Sequence, residues 1–239
     1  MPQAEQLTDP VTHHGEGAVW SDLWGGLRWV DMLAGAVLSL HPETGEVSRM
    51  PVGSPIAAAV RPRLNGGMVV VTEREFTLWQ GEVQEFATPP LWHDRAHRFN
   101  EGGCDPAGRM LCGTLAYDGD PGGGAMFRLN ADGSTERLWG DVTTSNGLGF
   151  TASGERMYYI DSETRRVDVF DVDAGADAGA GHDSALLNRR RFVTIEEGRG
   201  FPDGLWVDEE DGVWVALYGG AAVHHYDSRG ILADVIELP

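Results

Sequence analysis

The chain has 239 residues, of which 41% are hydrophobic and 23% charged, and its formal net charge is −19. A length of this order suits one large all-β domain or two ordinary domains with room for a sizeable core. The excess of carboxylates argues against nucleic acid or an anionic membrane surface as a partner, because both need Lys and Arg to replace released counterions.

All 18 basic residues are Arg, which excludes Schiff-base chemistry and a phosphate-gripping loop lysine within this chain. The apolar runs fall far short of the roughly 20 residues that span a bilayer. Met1 to Gln6 shows neither a basic start nor an apolar stretch behind it, so no secretory signal is read there and the cytoplasm is expected. Cys104 and Cys112 are the only cysteines. Two thiols make neither a Cys₄ zinc site nor a disulfide framework, and they read as small buried apolar side chains.

Runs rich in Val, Trp, Tyr and Leu recur along the chain, separated about every 8 to 12 residues by Gly, Asp, Asn and Pro turns. The first cassette is Gly17–Trp20, Leu27–Asp31 and Ala36–Leu40, closed by the turn His41–Glu46. The second is Ile56–Val60, Gly67–Val71 and Phe76–Trp79. The third runs from Gly103–Asp105 through Met110–Thr114 to Ala125–Leu129, and the fourth holds Gly147–Phe150, Arg156–Asp161 and Arg166–Phe170. The fifth holds Gly204–Val207, Gly212–Leu217 and Ala222–Tyr226. Ala174–Asp183 is a low-complexity insertion in the fourth cassette, read as a mobile surface loop, and Asp118–Gly124 is a second flexible connection.

Four cassettes place an oxygen-bearing side chain immediately before the first apolar run: Glu16, Asn100, Asn146 and Asp203. Their spacings are 84, 46 and 57 positions, and the first gap holds two units of about 42, with Ile56 at the matching place of the second. A period of about 40 to 50 with several strands per unit is the signature of a β-propeller. Its innermost strands begin at one mouth of a central channel, so residues far apart in sequence can be gathered there. These four side chains are hard donors with no imidazole or thiolate among them, suited to Ca²⁺, Mg²⁺ or Mn²⁺. Taken singly, each is an ordinary turn residue, and only their recurrence at corresponding positions points to a metal.

Other polar residues read more simply. His13 and His14 adjoin Glu16, but neighbours on a strand point opposite ways, so at most one could approach an ion. His93 and His97 fall in a loop. Trp20, Trp24, Trp29, Trp206 and Trp214 read as aromatics packed between blades, and Asp161, Asp168, Asp171 and Asp208 read as caps at strand ends. Ser145 lacks the Gly-x-Ser-x-Gly elbow of a serine hydrolase.

The segments His14–Trp20, Arg98–Arg109, Ser145–Leu148 and Phe201–Asp208 together resemble the SMP-30/gluconolactonase/luciferin-regenerating family, in the same order and over nearly the whole chain. The resemblance implies a single all-β domain over residues 1–239, a β-propeller of the six-bladed type. Five blades are recognisable, and the last is expected to be missing or incomplete through C-terminal shortening. It also implies one divalent cation, Ca²⁺ before Zn²⁺, Mn²⁺ or Mg²⁺, held by Glu16, Asn146 and Asp203. Asn100 would lie beside the ion and Arg98 would bind substrate oxygens. Where the family commonly has Asp after the Asn, this chain has Glu101, one methylene longer, which bears on the choice of sugar.

The activity so implied is hydrolysis of a sugar lactone. Asp203 is the candidate general base as well as a ligand. Arg98 would orient the ring and hydroxyl oxygens, and Glu101 would hydrogen-bond sugar hydroxyls. The readings kept beside this one are a hydrolase of other esters or phosphoesters, and a non-catalytic propeller that binds calcium or a protein. Nothing in the sequence states the oligomeric state.

Overall fold

A computed structural model of the chain describes residues 4–94, 96–173 and 185–238. The insertion read at Ala174–Asp183 lies outside the described residues. Among the described residues twenty strands form five separate sheets, each of four consecutive antiparallel strands in simple up-and-down order. This is the sheet of a propeller blade, and the expectation of an all-β chain with five such units is borne out. Two one-turn helices, Met32–Ala34 and Ser162–Thr164, are the only helices among the described residues. None of these is long and apolar enough to cross a membrane.

The chain divides into two compact units. One, Gln6–Gly103 with Met110–Val142, holds three sheets. The first comprises β1 (Gly15–Ser21), β2 (Gly26–Asp31), β3 (Ala36–Leu40) and β4 (Val47–Pro51), and the second β5 (Ala57–Pro62), β6 (Met68–Thr72), β7 (Phe76–Gln80) and β8 (Val83–Ala87). The third comprises β9 (His97–Cys104), β10 (Met110–Ala116), β11 (Gly124–Leu129) and β12 (Thr135–Val142). All five residues of β6 are buried, as expected for a middle strand covered on both faces, where Val-rich runs replace alternation. Phe99 links the second and third sheets, its ring centroid 4.9 Å from Phe76 and 5.8 Å from Phe127. Tilted and edge-on contacts of this kind add to the burial of the rings themselves.

The other unit comprises Met1–Glu5, Cys104–Arg109 and Thr143–Pro239. Its sheets are β13 (Ser145–Phe150), β14 (Arg156–Asp161), β15 (Arg166–Asp173) and β16 (Ala185–Thr194), then β17 (Phe201–Val207), β18 (Val213–Tyr218), β19 (Ala222–Tyr226) and β20 (Leu232–Glu237). Tyr158, Ile160 and Val167 of the first sheet share one core with Val213, Val215 and Leu217 of the second. Neither sheet can bury both faces alone, so each is stabilised by its neighbour.

Two readings of side chains need correction. Trp20 is 58% exposed and Trp206 63% exposed, so neither packs between blades. Cys112 is buried as expected, whereas Cys104 is only partly so. Burial, and then the nearby Glu101 carboxylate, push the Cys112 thiol well above its usual range, leaving it un-ionised and inert.

Candidate functional site

Four of the residues singled out lie in the three-sheet unit. Glu16 sits in β1 between two glycines, at a point where the β1–β2 register shifts by one residue. Gly17 supplies the φ of +58° that this bulge demands. A side chain there would also press on Glu101, whose Oε2 lies 3.4 Å from where a Cβ would stand. The entry to β1 is pinned by Asp31, whose Oδ1 accepts the amide protons of His13 and His14 at 3.1 and 2.9 Å, while Oδ2 receives Arg49 at 2.8 Å. The Glu16 carboxylate lies 3.2 Å from His14 Nε2. Burial, helped by the Arg98 and His13 charges and opposed by Asp31, holds the His14 imidazole below its ordinary pKa.

Arg98 and Asn100 lie on β9 with their side chains in contact. Arg98 Nη1 donates to Asn100 Oδ1 at 2.7 Å, to Phe99 O at 3.0 Å and to Met32 Sδ at 3.1 Å. Burial lowers the Arg98 pKa, with Tyr117 and Glu16 pulling the other way. A guanidinium stays charged regardless. Glu101 is buried, and its Oε1 accepts from Arg61 Nη2 at 3.1 Å and from the Gly102 amide at 2.8 Å. Arg61 Nη2 also donates to Gly102 O. Glu101 is therefore an anchor for Arg61 and for the β9 backbone.

Two further groups on this side carry no sequence signal. Tyr117, just past the end of β10, donates its hydroxyl to Glu73 Oε1 at 2.8 Å. Burial and the Glu73 hydrogen bond push its pKa up to about 12. Glu73 and Tyr117 each follow the second strand of their blade, as Met32 does in the first, and no residue type is shared among the three.

In the two-sheet unit, Asn146 lies buried on β13 and Asp203 lies on β17. Asn146 Nδ2 donates to Ser162 Oγ at 2.8 Å, and Ser162 Oγ donates to Pro202 O at 2.7 Å. Asn146 is thereby joined to the residue that precedes Asp203. The backbones of the two strands meet at Gly147, where an added Cβ would stand 2.7 Å from Asp203 O and 2.5 Å from Leu205 N. Only a glycine allows that approach. Asp161 repeats the device of Asp31, its two oxygens accepting the Thr143 and Thr144 amide protons at 3.0 and 2.9 Å.

Glu16, Asn146 and Asp203, the residues expected to hold a metal, are two carboxylates and an amide, side chains of the oxygen-donor kind that Ca²⁺, Mg²⁺ and Mn²⁺ prefer. Among the described residues there is no group of three or more His, Cys, Asp or Glu that could hold a metal. A set drawing one ligand from Asn is not of that kind.

Residues 14–239 match the family model described as the SMP-30/gluconolactonase/LRE-like region. The chain is 33% identical over 238 residues to pentonolactonase XacC of Haloferax volcanii, covering 98% of this chain and 77% of that protein. It is 31% identical over 235 residues to regucalcin of Sus scrofa, covering 95% of this chain and 76% of the relative. Among solved structures, a luciferin-regenerating enzyme superimposes with a TM-score of 0.84 at 27% identity, covering 95% of this chain and 77% of that one.

Proposed function

The chain belongs to the SMP-30/gluconolactonase/LRE-like family, and from that premise we propose that it is a divalent-metal-dependent lactonase that opens a sugar lactone to its aldonic acid. The observation that carries the proposal is the half-buried Arg98, bonded to Asn100 and lying in the field of Glu16. Such an arrangement suits recognition of a polyoxygenated, uncharged ligand beside a cation. Lactone-opening activity is named in a relative that aligns with 98% of the chain.

In this proposal Glu16, Asn146 and Asp203 hold one cation, Ca²⁺ first and Zn²⁺, Mn²⁺ or Mg²⁺ as alternatives. The five blades belong to a ring of the six-bladed type. A bound divalent ion polarises an ester carbonyl, lowers the pKa of water and stabilises developing oxyanion charge. Asp203 takes the proton from the attacking water as its oxygen bonds to the carbonyl carbon. The ring C–O bond then breaks, its oxygen taking the proton back from Asp203 to become the new hydroxyl, and the carboxylic acid formed releases its own proton to solvent. Arg98 directs its N–H donors at the ring and hydroxyl oxygens, fixing the lactone for attack. Asn100 stands beside Arg98, and Glu101 supports both by holding Arg61 and the β9 backbone. A formal net charge of −19 disfavours a polyanionic partner, so in this proposal the protein works on a small soluble substrate, in the cytoplasm.

Elemental analysis of the purified protein with a pH-stat assay on a panel of aldonolactones, arylesters and phosphotriesters tests this directly. Asp203→Ala should retain less than about 1% of lactone turnover, as removal of a general base that is also a ligand requires. Lactone hydrolysis at the parent rate by that variant would refute the metal mechanism. Turnover confined to other esters or phosphotriesters would replace the substrate class. Metal uptake with no turnover on any panel would make the protein a binding module.

A further inference from the structure

Ser162 carries a hydroxyl that its place in the fold does not require. The residue after the second strand opens a one-turn helix in two blades, and its amide proton goes to the residue just before the first strand: Met32 N to His14 O at 2.8 Å, and Ser162 N to Thr144 O at 3.1 Å. Each turn then closes on a left-handed residue, Gly35 or Arg165, whose N–H returns to the opening residue's carbonyl. Methionine performs this backbone task without a hydroxyl. In the second of these blades, however, the buried Ser162 Oγ stands between Asn146 Nδ2 at 2.8 Å and Pro202 O at 2.7 Å.

A hydroxyl has one proton. Pro202 O can only accept, so the Ser162 proton goes to it, and the oxygen can then only accept from Asn146. The amide edge facing Ser162 is therefore the NH₂, and Oδ1 is turned to the opposite edge. Flipping the amide would set Oδ1 against Ser162 Oγ, whose proton would have to leave Pro202 O to satisfy it, breaking the buried Ser162–Pro202 hydrogen bond. One serine thus fixes which end of Asn146 is presented and ties that end to the backbone beside Asp203.

We propose that Ser162 is a positioning residue for the cation site: it orients Asn146 Oδ1 as a ligand and couples the Asn146 segment to the Pro202–Asp203 segment. This rests on the assignment of Asn146 and Asp203 as metal-holding residues above. Partners of ligands that fix their orientation are commonly worth 10- to 100-fold in metal affinity.

The test is calorimetric titration of metal-stripped protein with Ca²⁺ and with Mn²⁺, free of substrate. The parent should bind one ion, and Ser162→Ala should bind it about tenfold more weakly, with Ser162→Thr restoring most of the loss because it keeps the hydroxyl. Ser162→Cys, close in volume but a poor hydrogen-bonding partner, should behave as the alanine variant does and serves if the latter does not fold. In an Asn146→Ala background, removing the hydroxyl should change affinity by less than about twofold, since the amide it orients is gone. A serine with only a packing role would lower the melting temperature of the metal-free protein and leave ion affinity at the parent value, which would overturn the proposal. So would a full tenfold loss persisting in the Asn146→Ala background. Absence of ion binding by the parent would overturn the metal assignment itself, and this inference with it.

Discussion

Asp31 and Asp161 stand at the same place in two different sheets, each the last residue of a second strand. Each accepts two consecutive backbone amide protons from the segment that enters a first strand. Two residues beyond the second amide lie Glu16 in one case and Asn146 in the other. The carboxylates thus fix the entry path of the strands on which two proposed metal-holding residues are carried. A buried carboxylate that accepts several N–H bonds tolerates burial because those bonds favour its charged form.

The Asp31 clamp makes stability depend on acid. Burial works against the charged carboxylate, but the His14 and His13 amides and Arg49 outweigh it and hold the pKa below the ordinary value. A depressed carboxylate contributes stability that is fully present above its unfolded pKa of about 3.9 and is lost as pH falls through the lower folded value. Asp31→Asn should therefore be less stable than the parent at pH 7. It should also lose less further stability on acidification below about pH 4. Urea unfolding at a series of pH values measures both. Parallel stability curves for the two proteins would show that the clamp has no such role.

Much of the blade pattern was legible because inner strands are apolar and bounded by Gly, Asp and Pro. The fourth strands β4 and β8 escaped notice, since most of their residues are exposed or half-buried and show no clean alternation. Trp20 and Trp206 misled because a large aromatic in a strand normally signals burial, whereas here both face outward. Glu16, Arg98, Asn100, Asn146 and Asp203 were visible through their motifs. Their supports were not: Arg61 reaches Glu101 from another sheet, and Ser162 meets Asn146 from the far end of a hairpin. Such partners are set by tertiary approach, which leaves no local spacing to read.

Gly147 offers a test of how closely the strands that carry Asn146 and Asp203 must approach. Its Cβ would stand 2.7 Å from Asp203 O and 2.5 Å from Leu205 N, both backbone atoms that cannot rotate away. Gly147→Ala must push β17 off β13, and overpacking of this kind typically costs about 1–3 kcal/mol. The same displacement moves Asp203 relative to Asn146. We expect a melting temperature lower by about 2–10 °C and a fall in lactone turnover of about 100-fold, as misplacement by roughly 1 Å can cause. A variant with parent kinetics would show that the catalytic geometry does not depend on this contact.

Glu101 separates support from direct sugar recognition. Its Oε1 already holds Arg61 and the Gly102 amide, and both partners of the ion pair are largely shielded from water. Removing one charge from such a pair leaves the other buried and uncompensated, at a cost of about 3 kcal/mol. Glu101→Gln keeps the shape and one acceptor while removing the charge, so the expected result is lower stability. The specificity constant kcat/KM should fall by a similar factor for every lactone tested, because the defect lies in β9 and is felt through Arg98 and Asn100. Lactones differing at a single hydroxyl provide the contrast. A loss confined to one of them, with the melting temperature unchanged, would instead show the carboxylate touching that hydroxyl.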